Sequence, residues 1–360
     1  MKDVVLIIPA YKPDLKLITT VDDAVKNGFC KILIVDDGSG EEYNEVFTKI
    51  EENEFCTLLR HPVNKGKGAA LRTAISYADE NFKDCIGVIT ADADGQHLTK
   101  DIIAVAQKMK NTGNIVLGCR DFSSSNVPFR SRFGNRCTIA VFRLFFGMRV
   151  SDTQTGLRGF PKSFWKSLLS IKGDRYEYET NMLFFMSRNS LPFDEVKINT
   201  VYIDENSSSH FRVVRDSIRI YSLIIKYFFS SVAAMLVDNS AFFLFKQFPI
   251  ATLGSIPQTF PAAFLARVIS SLVNYFINAK MVFGGKVDKK TIFKYYALAL
   301  IQISVSAAVV FLLELLFTVK LAILSTVLKM IVDLILFFLS FRIQHKWVFN
   351  NKEREKENEE

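Results

Sequence analysis

Two carboxylates and an amide crowd together in Asp92-Ala93-Asp94-Gly95-Gln96-His97, directly after a short apolar run. At the end of a buried strand such side chains converge on one point. Hard divalent cations take oxygen ligands and keep open positions for substrate phosphates, which makes this segment a candidate Mg²⁺ or Mn²⁺ clamp. A D-x-D by itself is a weak signal, because a solvated turn gives the same pattern. An EF-hand is excluded, since Gln96 and Ile103 stand where that loop needs acidic groups. Two further segments have the right company. Val35-Asp36-Asp37-Gly38-Ser39 closes another apolar run, and Asn64-Lys65-Gly66-Lys67-Gly68-Ala69-Ala70 opens a helix. Its glycines permit close backbone approach, and a helix start offers N–H groups and positive dipole to an anion. It is neither a P-loop, lacking the Lys-Ser/Thr pair, nor a dinucleotide fingerprint, because Leu71 replaces the third glycine.

These segments need a frame that brings them to one edge. The opening part of the chain repeats a β-branched apolar run, a turn, and a stretch of helical periodicity. Strands are expected at Val4 to Ile8, Lys31 to Val35, Thr57 to Arg60, Ile86 to Thr90 and Ile115 to Gly118. Helices are expected at Leu15 to Asn27, Glu41 to Glu52, Lys67 to Glu80 and Lys100 to Lys110. Such alternation predicts an α/β domain with a mostly parallel, Rossmann-like sheet covered on both faces. Ligands of these sheets bind at the carboxyl ends of the strands, where Asp36-Asp37, His61-Pro62 and Asp92 to Asp94 all fall.

The remainder lives in another solvent. Four apolar segments, Tyr227 to Phe248, Ile256 to Phe276, Ile292 to Phe317 and Leu321 to Phe341, are each about the 20 residues that span a bilayer. Arg212, Arg215 and Arg219 line one face of the preceding stretch, as an amphipathic helix on an anionic membrane surface would require. A second membrane-edge helix is expected over Ile139 to Met148. The expected division is a catalytic domain over 1–211, a juxtamembrane helix over 212–226, an all-α four-helix membrane domain over 227–349 and a charged, disordered tail over 350–360. Net charge is +8. With no basic run interleaved with aromatics in the soluble part, the charge excludes a nucleic-acid groove and fits a membrane surface. Basic residues gather in the loop after the second span and after the fourth. The positive-inside tendency therefore places the catalytic domain and the carboxyl terminus in the cytoplasm. The opening run is too short for a signal peptide, and five scattered cysteines without a CxxC pair read as reduced and structural. The Asn206 sequon is then a chance match.

Pro9-Ala10-Tyr11, Val35 to Ser39, Asn64 to Ala70, Asp92 to His97 and Gly118-Cys119-Arg120 together resemble the GT-A fold of family-two glycosyltransferases. The branch resembled is that of dolichol-phosphate mannose synthases and polyprenyl-phosphate glucosyltransferases. Asp152 to Phe160 resembles that branch's acceptor-side motif. The four-span region, with Asn274 to Asn278 and Lys346 to Phe349, is similar to GtrA-like domains. The resemblance implies that Pro9, Tyr11, Asp36, Asp37, Ala93 and Arg120 hold the nucleotide-sugar. It implies Asp92, Asp94 and Gln96 as metal and diphosphate ligands, with Asp92, Asp94 and Arg120 catalytic. Arg132, Arg158, Ser209, His210 and Arg212 would meet the acceptor phosphate. Where many relatives read Tyr-Asn-Glu, this chain has Tyr11-Lys12-Pro13, so that position does not name the nucleobase.

The expected reaction is an inverting transfer of a sugar, from a donor of the GDP-mannose or UDP-glucose type, to undecaprenyl or dolichyl phosphate for cell-envelope glycosylation. Asp152 would assist or orient Arg158. Ionisable residues in the spans, Asp238, Arg267, Glu314, Lys329 and Asp333, are costly in lipid and suggest either a path that moves the glycolipid across or a packed anchor or oligomer contact. Lys329 and Asp333, one helical turn apart, are expected to pair. A processive polysaccharide synthase is the remaining alternative, with Gln344-His345-Lys346-Trp347 only a poor echo of its motif.

Overall fold

The computed structural model describes residues 1–121, 129–199, 213–247, 259–285, 287–317 and 322–349. Within it the chain divides into two compact units, Met1–Ile220 and Tyr221–Glu360.

The first unit is built on a seven-stranded sheet of order β3-β2-β1-β4-β6-β5-β7. Its strands are β1 Val4–Ala10, β2 Ile32–Asp36, β3 Cys56–Arg60, β4 Gly87–Thr90, β5 Ile115–Arg120, β6 Arg158–Pro161 and β7 Phe193–Ile198. All run parallel except β6, which lies antiparallel between β4 and β5. Unbroken apolar runs such as Val4 to Ile8 are what strands covered on both faces require, and those residues are fully buried. Helices α1 Lys16–Lys26, α2 Asn44–Glu51, α3 Lys67–Asn81 and α4 Thr99–Thr112 alternate with the strands as the periodicity predicts. The core forms where Leu17, Val21, Phe47, Ile102 and Val105 from these helices meet Leu6, Ile8 and Ile34 of the sheet. Three more helices follow, α5 Phe129–Val141, α6 Trp165–Ser170 and α7 Glu177–Asn189. Over the expected edge helix, α5 instead passes into a π-helical turn at Phe142–Phe146, with Phe142 and Phe146 buried.

Because β6 runs backwards, its first residue, Arg158, pairs with Thr90 at the end of β4. The loop leading into β6 therefore arrives at the carboxyl edge of the parallel strands. This reversal brings Asp152 to Leu157 to the site.

The second unit contains α8, Val213–Gln247, from Tyr221 onward, together with α9 Thr259–Ile277, α10 Lys289–Leu316 and α11 Ala322–Ile343. Helix α8 runs without a break through the expected junction at 226 and 227, so no turn separates a surface helix from a span. The stretches Ser222–Phe245 and Lys289–Val310 are long and apolar enough to cross a bilayer. Phe228, Phe229, Phe243, Leu300, Ile303 and Leu334 point outward, as lipid contact requires. The two helical hairpins repeat one pattern. Lys226-Tyr227 near the start of one corresponds to Lys294-Tyr295 in the other, and Ile277-Asn278-Ala279-Lys280-Met281-Val282-Phe283 to Ile343-Gln344-His345-Lys346-Trp347-Val348-Phe349. Each second helix ends in a π-helical turn, over Asn278–Val282 and Gln344–Val348. The equivalent residues meet: Asn278 donates to Gln344 at 3.2 Å, and the Phe283 and Phe349 rings stack at 5.2 Å. Gln344 also donates to Tyr227 at 3.3 Å, and Asn274 to the Tyr295 hydroxyl at 3.0 Å. Buried amides that satisfy one another in this way fix which helices pack together. Asn278→Leu is expected to cost about 1 kcal/mol by stranding the hydrogen-bonding groups of Ser230 and Gln344. A lowered thermal midpoint of the detergent-solubilised chain would report it, and an unchanged midpoint would contradict it.

Among the described residues, Asp238 and Asp333 find partners within this unit. Asp238 meets Arg267 at 3.2 Å and accepts from Ser270 at 2.9 Å, while Asp333 accepts from Ser306 at 2.7 Å. The side chains of Glu314 and Lys329, and the expected pairing of Lys329 with Asp333, lie outside the described residues.

Candidate active site

The loop after β2 is built by its own acids. Asp36 accepts from the Ser39 backbone N–H at 2.9 Å, closing the turn, and its neighbour Asp37 binds the next loop. The Asp37 carboxylate accepts from the N–H groups of Lys65 at 2.9 Å and Gly66 at 2.7 Å, and lies 2.7 Å from His61 Nδ1. Both acids are buried, and Asp37 acts on the 61–66 segment, whatever else it contacts. Pro9, in β1, pairs with Val35, and Tyr11 follows directly at the half-buried rim.

Several N–H groups around the start of α3 are engaged within the fold: Lys65 and Gly66, just before the helix, donate to Asp37, and Ala69 donates to the Asp174 carbonyl at 3.0 Å. The cause is close packing against the segment before α7. A Cβ on Gly66 would strike the Asp174 carbonyl, and one on Gly68 would meet Tyr178 Cβ at 2.5 Å. Gly66 also holds φ +105°, a conformation glycine alone adopts readily.

Lys67, the first residue of that helix, sends its side chain into the site. Its Nζ lies 2.6 Å from Asp92 Oδ1 and 2.9 Å from Glu179 Oε1 of α7. His97 Nε2 approaches the other Asp92 oxygen at 3.3 Å. Burial alone would push the Asp92 carboxyl up, but the Lys67 ammonium, with His97, more than offsets this and holds it well below the usual carboxylate range. Asp94 has the opposite fate: burial, and then the negative charge of Asp92, push its carboxyl up. The Asp92 charge reaches Asp94, so the two carboxyl groups are near neighbours at this strand end. Asp94 also accepts from the Gln96 N–H at 3.0 Å, and Ala93 and Gln96 are half-buried beside it.

Arg120 ends β5, and Asp152 holds it by a two-pronged pair, Nε at 2.7 Å and Nη2 at 3.1 Å. Asp152 is fully buried and accepts two backbone N–H groups as well, from Arg120 at 3.3 Å and Gln154 at 2.9 Å. A carboxylate so committed orients Arg120, and its charge also acts on the buried Arg158. Asn135 of α5 clamps the same loop, accepting from the Thr153 N–H at 3.2 Å and donating to the Ser151 carbonyl at 3.1 Å. Arg132 sits on α5, half-buried, nearly one turn earlier. Arg158 is internal. It is 1% exposed, and it donates to the carbonyls of Thr155 at 2.9 Å and Glu179 at 2.7 Å, while its Nη2 is buried without a hydrogen-bond partner. Burial lowers its pKa and the acids around it act against that. Ser209, His210 and Arg212 lie outside the described residues.

The loop before β6 presses directly on the acids. Thr90 donates to the Gly156 carbonyl at 2.8 Å, and a Cβ on Gly156 would run into the Asp92 carboxylate. Gly156→Ala is therefore expected to displace Asp92 and lower kcat/KM about 100-fold, the scale of an ångström-sized misplacement. Steady-state rates alongside a melting curve would check it, and near-normal transfer would contradict the contact.

Residues 5–169 match the model of glycosyl transferase family 2, and residues 226–349 match the GtrA/DPMS transmembrane domain. An uncharacterized protein of Methanocaldococcus jannaschii is 31% identical over 232 residues, 63% of this chain and 93% of that one. The chain belongs to glycosyltransferase family 2. A UDP-N-acetylglucosamine–dolichyl-phosphate N-acetylglucosaminyltransferase of Methanococcus voltae is 31% identical to this transferase over 223 residues, 56% of this chain and 87% of its own. A dolichyl-phosphate β-glucosyltransferase of Dictyostelium discoideum is 27% identical over 242 residues, 60% and 72% respectively. The GtrA/DPMS match and the apolar helices make the transferase a membrane protein.

Among the described residues no cluster of three or more His, Cys, Asp or Glu side chains stands ready for a metal. The chemistry of Asp92, Asp94 and Gln96 is nevertheless of the oxygen-donor kind that fits a hard dication, since Mg²⁺-type sites use one or two carboxylates with substrate phosphates completing the shell. The electrostatic strain on Asp94 is what such an ion would relieve. Sequence reasoning missed Lys67, Glu179 and His97 as members of this group. His97 closes the segment that begins at Asp92, and that adjacency is its one signal; Glu179 lies in a helix with no motif at all.

Proposed function

We propose that the transferase moves one sugar from a nucleotide-sugar to the phosphate of a polyprenyl lipid, inverting the anomeric centre, with Mg²⁺ or Mn²⁺ at Asp92 and Asp94. One observation carries this reading: a glycosyltransferase family 2 domain continues, in one chain, into a GtrA/DPMS transmembrane domain. The names of the two relatives that act on dolichyl phosphate support the acceptor class.

In the step, a lipid phosphate oxygen forms a bond to the anomeric carbon as the bond from that carbon to the nucleoside diphosphate breaks. The phosphate is already anionic near neutral pH, so no side chain has to remove a proton. That fits the engagement of Asp152, whose carboxylate already accepts from Arg120 and Gln154. Asp92, Asp94 and Gln96 would hold the cation, which supplies charge neutralisation to the leaving diphosphate. Pro9, Tyr11, Asp36 and Ala93 would line the nucleoside side, with Asp37 shaping the loop between. Arg120, fixed by Asp152, keeps a planar cation at the edge where phosphates gather. Arg132, with Ser209, His210 and Arg212, would serve the acceptor. The membrane unit acts as an anchor with its polar groups paired to one another, as the bonds of Asp238 and Asp333 support. Its basic loops set the catalytic domain in the cytoplasm.

A panel of labelled UDP-N-acetylglucosamine, UDP-glucose and GDP-mannose, offered to membranes with polyprenyl phosphate and Mn²⁺, tests the reading and names the donor. Label should enter the organic phase from one of them and vanish with a chelator. Label from none, with active membranes, would overturn it.

A further inference from the structure

The triad Asp92, Lys67 and Glu179 has a property that the metal reading leaves unused. Lys67 Nζ holds two acids at once, at 2.6 and 2.9 Å, and its side chain is only 17% exposed. A dication seated at Asp92 would lie within a few ångströms of that ammonium, and like charges at this separation in a partly desolvated site repel strongly. We propose that Lys67 is a tethered counter-ion that occupies the Asp92 carboxylate when no divalent ion is present, and that Glu179 receives it when the ion arrives. The proposal rests on the metal reading above and concerns what sets the ion's affinity.

Three features make the exchange feasible. First, the backbone of Lys67 is fixed: Gly66 and Gly68 on either side abut the 173–178 segment, and Ala69 is bonded to Asp174, so motion is confined to the side chain. Second, Lys67 need not become unpaired on leaving Asp92, because its contact with Glu179 already exists; breaking a buried pair outright would cost several kcal/mol. Third, Asp92 keeps its shape when released. His97 Nε2 stands at its other oxygen and Gly156 packs against the carboxylate, so the acid stays aimed as Lys67 withdraws. Lys67 and Glu179 are on this account positioning residues, acting through Asp92 and touching no reacting atom. Glu179 has a second duty, since its backbone carbonyl accepts from Arg158 at 2.7 Å, which ties the helix carrying it to β6.

The account predicts opposite effects of the two partners on the ion. Mn²⁺ binding is measured by electron paramagnetic resonance on the full-length, detergent-solubilised chain without donor, so that the readout is independent of turnover. Lys67→Met removes the competitor and should tighten Mn²⁺ at least tenfold. Glu179→Gln leaves Lys67 with Asp92 as its one acid in the triad and should weaken Mn²⁺ by a similar factor. In the double variant the Glu179 effect should disappear, because Glu179 acts only through Lys67. Lys67→Gln, which keeps a hydrogen-bonding head without the charge, provides the same reading should the methionine variant fail to fold. Unchanged or weaker Mn²⁺ binding in the folded Lys67 variants, or a Glu179 effect that persists in the double variant, would overturn the exchange while leaving the metal reading intact. No Mn²⁺ binding by the wild-type chain would overturn both.

Discussion

Asp94→Ala is expected to leave a folded, membrane-inserted protein that transfers sugar at least about 1,000-fold more slowly, equivalent to roughly 4 kcal/mol of lost transition-state stabilisation. The fold loses little with this side chain. Its carboxylate accepts locally, from the Gln96 N–H, and burial together with the charge of Asp92 makes the ionised form costly in the absence of a cation. A group that the fold tolerates at a cost, at the edge of a sheet where ligands bind, has its use in the reaction. Rates with saturating donor and Mn²⁺, set beside circular dichroism and a melting curve, separate the two contributions. Near-normal turnover would remove the two-carboxylate clamp.

Asp152→Ala should do the reverse, damaging the fold and the chemistry together. It strips four donors of their acceptor: Arg120 by Nε, Nη2 and backbone N–H, and Gln154 by its N–H. Removing one partner of a buried pair leaves the other charge uncompensated and costs about 3–5 kcal/mol. The loop that carries Gly156 onto Asp92 would loosen with it. The expected result is a large drop in the denaturant midpoint and loss of transfer. Asp152→Asn, which can still accept from Arg120, should retain more of the stability than alanine. A stable Asp152→Ala protein would show that Asn135, which grips Ser151 and Thr153, holds the loop by itself.

Local pattern carried far into this fold. The first five strands and four helices fall within a few residues of their expected limits, because β-branched runs buried on both faces and 3.6-residue periodicity are local signals. The strand β6 was not legible: Arg158-Gly159-Phe160-Pro161 contains an arginine, a glycine and a proline, and only its place between β4 and β5 makes it a strand. The same reversal explains why Arg158, expected at the acceptor phosphate, is a buried residue of the sheet. Lys67 was read as part of an anion-binding helix start, but its charge is directed to Asp92 by Glu179, a residue distant in sequence with no motif around it. Asp92 and Asp94 were legible because both lie on a single turn after a single strand. Long-range contacts are not written in any window of the chain, and three of the site's most telling ones are of that kind: the ion pairs of Lys67 with Glu179 and Arg120 with Asp152, and the close approach of Gly156 to Asp92.

Mass spectrometry of the lipid extract, after incubation of the purified chain with the active donor, polyprenyl phosphate and Mn²⁺, speaks most plainly to the reaction. The expected product is polyprenyl phosphate heavier by a single sugar residue, formed by wild-type protein and lost in Asp94→Ala. A polymer, a free sugar, or a modified lipid made equally well by Asp94→Ala would contradict it.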